Sequence, residues 1–294
     1  MPEPRAAGTI YDLGYQRYTG QRLGRGHGFR QLLTYSFKAA YGAGRGQRAR
    51  LVPFVVLLVV FVPAIGQLVA ASFTGQTSFI NYSQYLDFTA FLVALFAAAQ
   101  APELIVTDRQ YGVLSLYLSR PLRGTDYALA KITALVLAML VLTAGPQLFL
   151  FFGKVFISAT PFTVLKTEWR KLFPIIGGTL GTSVYMATIA LALSSRASRR
   201  AFGNAAVIAY FLFMPAAAAI FYSIARGNAK RYSVLAHPVW LLTGFTDWMF
   251  NIEARRRSVI GRVDLPGEAY LYTILAMSLV ATAVVLQRYR KAES

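Results

Sequence analysis

The densest group of ionisable and contact-forming residues in this chain is the stretch ELIVTDRQYGVLSLYLSRPLRGTDYALAK, residues 103–131. It lies between two strongly apolar segments and carries Glu103, Asp108, Arg109, Arg120, Arg123, Asp126 and Lys131. Charges at this density cannot sit in hydrocarbon, where each is expensive to bury. The stretch therefore reads as a connector on the water side of a membrane. Tyr111, Leu114, Tyr117 and Leu118 recur at helical spacing and are expected on one face of a short helix over residues 111–118. Arg120 and Pro121 end that helix, because proline disfavours the helical conformation of the residue before it. Such a helix offers an apolar face to a partner, with Gly112 allowing close backbone approach. Arg123 and Lys131 are expected to face water or lipid headgroups.

Other candidates for chemistry are isolated. There is no cysteine, which excludes disulfides, thiol chemistry and cysteine metal sites. The two histidines, His27 and His237, are far apart in sequence, so no metal site is expected. Asp87 is the only acid within an apolar segment. A membrane carboxylate marks a functional site by default, but a place in water at the outer mouth of its segment is the simpler account and the one expected. His237 has either a pH-sensitive role or, next to Pro238, a structural one. Gly177 and Gly181 have the GxxxG spacing that lets two helices approach closely, although glycine is also common in membrane helices.

The elements that must position these residues follow from composition. Of 294 residues, 56% are hydrophobic and only 14% charged, with a mean hydropathy of +0.47. Soluble domains carry about 25% charged residues. Apolar runs of span length are expected over about 51–73, 79–101, 127–152, 172–193, 201–225 and 269–287. The fold class is all-α: a polytopic membrane protein with six spans (51–287), an N-terminal region (1–50) and a tail (288–294). Pro63, Pro146 and Pro215 fall inside spans, where each can kink its helix. The net charge of +18 does not point to nucleic acid; arginines in cytoplasmic loops, facing anionic lipid, account for it.

No signal peptide is apparent. Residues 1–27 read as an irregular arm rich in Gly, Arg and Tyr. Phe29, Leu32, Leu33, Phe37, Ala40 and Tyr41 then form an apolar stripe, which reads as an interfacial helix lying on the membrane surface, with a helix packed on protein as the alternative. Placing both termini in the cytoplasm puts 19 Lys and Arg inside and 11 outside. The inward excess favours that orientation, against which Arg255, Arg256 and Arg257 count. Residues 226–268 are too long for a turn. Their Trp240, Phe245, Trp248, Met249 and Phe250 fit either headgroup-level or re-entrant helices.

The connector resembles that of ABC-2 type exporter permeases. The matching positions are Glu103, Gly112, Leu114, Leu118, Ser119, Pro121, Arg123 and Lys131; Val113 and Ala130 depart from the pattern, which has threonine and glycine there. The start, Ile10-Tyr11-Asp12-Leu13-Gly14-Tyr15 with Arg17, Tyr18 and Gly20, resembles actinobacterial permeases of this class. The resemblance implies a surface helix before the first span, six spans and a cytoplasmic coupling helix, in a bacterial plasma membrane. It also implies two cytoplasmic ABC ATPase subunits as partners, and a second copy of the chain or a paralogous permease. The expected coupling residues are Glu103, Arg109, Tyr111, Gly112, Leu114, Tyr117, Leu118, Pro121 and Arg123. The pattern GxxxxGK[ST] occurs nowhere, so the chain is expected to be no enzyme and to bind no cofactor itself, with ATP and Mg held by the partner ATPase. An amphiphilic cargo such as a drug, antibiotic, lipid or peptide fits aromatic, nearly uncharged spans.

Two other classes compete. An ATP-independent carrier or channel would bury ionisable groups at mid-membrane, and the span centres hold almost none. A membrane-embedded enzyme would need clustered acids, histidines or cysteines, and none stand together in the sequence.

Overall fold

The computed structural model describes residues 23–44, 46–74, 81–118, 122–252, 258–263 and 265–290. These are helical almost throughout. Six helices are long and apolar enough to cross a membrane: α2 (Gln47–Thr74), α3 (Tyr82–Gln110), α5 (Gly124–Ile157), α7 (Leu172–Arg196), α8 (Arg200–Ile224) and α12 (Gly267–Arg290). The chain is a multi-pass, all-α membrane protein, and its apolar helices suit a lipid bilayer. The shorter elements are α1 (Arg25–Ala40), α4 (Val113–Leu118), α6 (Pro161–Glu168), α9 (Gly227–Ser233), α10 (Pro238–Met249) and α11 (Val259–Val263).

α3, α5 and α7 form the inner layer. α2 packs on α5 and α3, α8 on α3 and α7, and α12 on α7, α5 and α10. Apolar side chains gain little by leaving lipid for protein, so polar side chains and close packing must help hold such a bundle together. The Tyr85 hydroxyl donates to the Val60 carbonyl at 2.6 Å, tying α3 to α2. Thr143 and Ser183 hydroxyls meet at 3.0 Å between α5 and α7. Tyr185 and Tyr210 hydroxyls meet at 2.7 Å between α7 and α8. Most other buried Thr and Ser hydroxyls return to carbonyls of their own helix, as lipid-embedded helices require.

Several helices outrun the apolar segments read from sequence. α3 continues to Gln110, nine residues past the expected end of its span at 101, and its 29 residues measure about 44 Å. A bilayer's hydrocarbon core is only about 30 Å thick. Helical hydrogen bonding does not stop where hydrophobicity stops, so Glu103, Asp108 and Arg109 stand on a helical extension and not on a loop.

α1 lies against α5 and α3. Leu32, Ser36 and Ala40 are buried there, and the Tyr41 hydroxyl donates to the Ala138 carbonyl at 2.7 Å. This face of α1 is packed on protein. Between α8 and α12 the chain does not simply turn: α9, a 3-10 turn and α10 fold back, and α10 sits against α3, α7, α8 and α12. The Arg255–257 triplet lies outside the described residues.

Candidate functional site

At one end of the bundle, α4 hangs between the α3 extension and the start of α5. The link from α3 is Tyr111 and Gly112. Gly112 has φ 67°, a left-handed conformation that costs glycine little and side chains more. Proline at 121 lies outside the described residues, and so does the side chain of Leu118.

The sequence placed Tyr111, Leu114, Tyr117 and Leu118 on one outward face. The structure corrects this. The helix begins at Val113, and Tyr111 caps the C-terminus of α3. Leu114 and Tyr117 turn inward and pack on the chain's own core, with the Tyr117 ring 5.9 Å from that of Tyr127. Tyr111 and Leu116 point outward, 80% and 65% exposed. The reason is tertiary: Tyr127, Tyr289 and the neighbouring α1 supply an apolar wall that the local pattern does not reveal.

The charges around α4 tie down the ends of α3 and α5 that carry it. Glu103 on α3 pairs with Arg200 at the start of α8, 2.7 Å apart. Arg109 donates to the Ser195 carbonyl at 2.9 Å and to the Ala197 carbonyl, so it caps the C-terminal end of α7. A cation there satisfies carbonyls that have no helical partner. Asp126, in the first turn of α5, accepts a forked pair of bonds from Arg25 of α1 at 2.7 and 2.6 Å. It also accepts from the Arg123 backbone N–H at 3.0 Å. A two-point guanidinium–carboxylate contact fixes orientation as well as distance. Lys131 corrects the expectation that it faces water: it is 1% exposed, with its amine 2.7 Å from Asp108. The Tyr127 hydroxyl donates to the same carboxylate at 2.8 Å. The side chain of Arg123 is exposed, as expected.

A groove of about 460 Å³ runs beside this region between α1 and α4, lined by His27, Gln31, Tyr35, Tyr117 and Leu122 among others. The site is thus a small apolar projection, Tyr111 and Leu116, on a platform tied by ion pairs and carbonyl caps to α1, α7 and α8. Sequence reasoning missed Arg25, Arg200, Tyr127 and Asp108 as bracing residues. The clue available was that acids and bases alternate through 103–131 with few obvious local partners.

Gly177 and Gly181 do admit a close helical neighbour, and it is the short helix α10. A Cβ on Gly177 would lie 2.5 Å from Met249, and one on Gly181 2.5 Å from the Phe245 ring. Both glycines seat α10 against α7. Asp87 accepts a hydrogen bond from Thr243 at 2.6 Å. It is the one ionisable residue on the wall of an apolar cavity of about 590 Å³ between α3, α7, α8 and α10, lined by Phe91, Leu95, Met186, Phe211 and Leu242. His237 caps α10: its Nδ1 accepts the Trp240 N–H at 3.2 Å, and the two rings stack with centroids 3.9 Å apart. Burial pushes the imidazole down to about pKa 4 from its ordinary 6.5. Among the described residues, no group of three acids or histidines could hold a metal ion.

No protein-family model matches the chain. No curated protein matches it either.

Proposed function

We propose that this chain is the membrane subunit of an ATP-driven exporter whose ATPase is a separate protein, with α4 and the Tyr111–Gly112 turn as the contact. The observation that carries the reading is the bracing of α4. A push on Tyr111 and Leu116 reaches α8 through Glu103–Arg200, α7 through Arg109, and α1 through Asp126–Arg25. A helix whose role ended at linking two spans would need none of these ties. Helix-in-groove contacts depend on a few apolar anchors, and the exposed pair has that character. The resemblance of residues 103–131 to the connector of ABC-2 permeases supports the same assignment.

On this reading the chain binds no ATP or Mg and catalyses no reaction itself. It works in a bacterial plasma membrane with both termini in the cytoplasm, beside two ATPase subunits and a second permease. The α3–α7–α8–α10 cavity is the surface along which an amphiphilic cargo moves. Its volume lies in the range of small-molecule sites, and apolar walls with one fixed polar group match an amphiphile. The test is purification from native membranes. An ATP-binding subunit should co-purify in about equal amount, and hydrolysis should require it. Thr167→Cys should react with an impermeant maleimide outside intact cells, and Arg199→Cys should not.

A carrier working without ATP is favoured by one feature, the Asp87 carboxylate on the cavity wall. Cargo-specific transport by the purified chain in ATP-free liposomes would decide for it.

A further inference from the structure

At the end of the bundle opposite α4, a second pocket of about 470 Å³ is lined by Asn81, Tyr82, Lys154, Arg170, Lys171 and Phe250, together with Pro174 and Ile252. Its chemistry differs from that of the rest of the membrane domain. Lys154 is 8% exposed although it sits at the end of a span, and its amine stands 4.9 Å above the Tyr82 ring. Tyr82 is 7% exposed and stacks on Phe250, with centroids 6.0 Å apart. The Tyr82 hydroxyl is buried and has no hydrogen-bond partner among the described residues. Buried hydroxyls almost always have one, so an orphan asks for an explanation.

The charge is also unbalanced. Lys171 is matched by Glu168 at 2.7 Å. Lys154 and Arg170 have no carboxylate within ion-pair distance among the described residues. Glu168, paired with Lys171, also acts on Lys154, but from beyond ion-pair distance. A nearly buried ammonium that no carboxylate touches is costly, and an anion that accepts hydrogen bonds from it offsets that cost. α3 begins at this pocket with Asn81 as its N-cap and no side-chain cap, so the positive end of the helix dipole faces the same space.

We propose that this pocket binds a phosphate-ester anion, held by Lys154 and Arg170, with the Tyr82 hydroxyl as a third donor. Phe162, Trp169 and Phe173, on the same segment as Arg170 and Lys171, are exposed. Aromatic side chains, tryptophan above all, gather at headgroup depth, which places the phosphate of a phospholipid within reach, in the outer leaflet on the orientation proposed above. A soluble phosphate ester presents the same group.

The experiment uses the full chain in nanodiscs of phosphatidylcholine with and without phosphatidylglycerol. Native mass spectrometry reads the retained lipid, and inorganic phosphate is added separately with thermal unfolding as the readout. The variants are Lys154→Met with Arg170→Gln, Tyr82→Phe, and Lys166→Met as a control cation at the same end. Wild type and the control should retain phosphatidylglycerol preferentially, and the double variant should retain about tenfold less. Tyr82→Phe loses only a hydroxyl, so it tests the pocket even if the double variant fails to fold, and its retention should fall by a smaller factor. Stabilisation by inorganic phosphate that the double variant loses would also support the pocket, with a soluble source. Equal lipid retention by all forms with no phosphate stabilisation would overturn the proposal. Glu168→Gln is added as a further variant: binding seen only in that form would also overturn the proposal, because the chain's own carboxylate would then be the anion.

Discussion

The Lys131 amine lies 2.7 Å from the Asp108 carboxylate, joining the end of α3 to the second turn of α5 across the root of α4. Both side chains are largely shielded from water, and Tyr127 donates to the same carboxylate.

Removing one partner leaves a buried charge alone, which typically costs about 3–5 kcal/mol, whereas replacing both is far milder. Lys131→Met should therefore lower the unfolding temperature in detergent sharply. Lys131→Met with Asp108→Asn should recover most of the loss. A double variant as unstable as the single one would show that the two groups do not act as a pair.

Gly181 faces Phe245 so closely that an added Cβ would lie 2.5 Å from the ring. Gly181→Ala should displace α10 and destabilise the chain by about 1–3 kcal/mol, the usual cost of overpacking. Gly66→Ala is the comparison, since nothing lies within 4 Å of the added atom. Its thermal unfolding should be unchanged or slightly raised.

His237 carries a pH prediction. Its folded pKa of about 4 lies below the ordinary 6.5, so the unfolded chain takes up the proton first. The contribution of the α10 cap is complete above about pH 6.5 and falls as the pH drops through the window towards about pH 4. A protonated Nδ1 also cannot accept from the Trp240 N–H. Unfolding temperature should fall more between pH 7 and pH 5 in wild type than in His237→Gln, about those two values. Parallel curves would remove His237 from the cause.

What the sequence made legible follows from which interactions are local. Six spans could be read because a bilayer demands long apolar runs, and one helix matches each run, although α3 begins only at Tyr82 and α8 ends at Ile224, just inside the expected bounds. Helix ends could not, because backbone hydrogen bonding carries α3 to Gln110 and α5 back to Gly124, past the ends of the apolar runs. The partners of Asp126 and Arg109 are 101 and 86 residues away, beyond any periodicity argument. The inward turn of Leu114 and Tyr117 needed the Tyr127–Tyr289 wall, which exists only once α5 and α12 meet. The glycines of α7 announced a close approach, but the neighbour they admit, α10, depended on the insert folding back.

The central claim is that α4 is where an ATPase takes hold, through Tyr111 and Leu116. Leu114→Ala does not test it cleanly, because Leu114 packs inward and its loss reads as destabilisation. Tyr111→Ala with Leu116→Ala does, because both side chains are mostly exposed and neither lies within a span core. The decisive measurement is the amount of ATPase subunit co-purified with this double variant, alongside its membrane level and unfolding temperature. The account expects membrane level and unfolding temperature near wild type, with ATPase recovery down by about tenfold or more, as truncated interface anchors cost about 2 kcal/mol or more. A variant that inserts, folds, recovers its ATPase and exports like wild type would contradict the account.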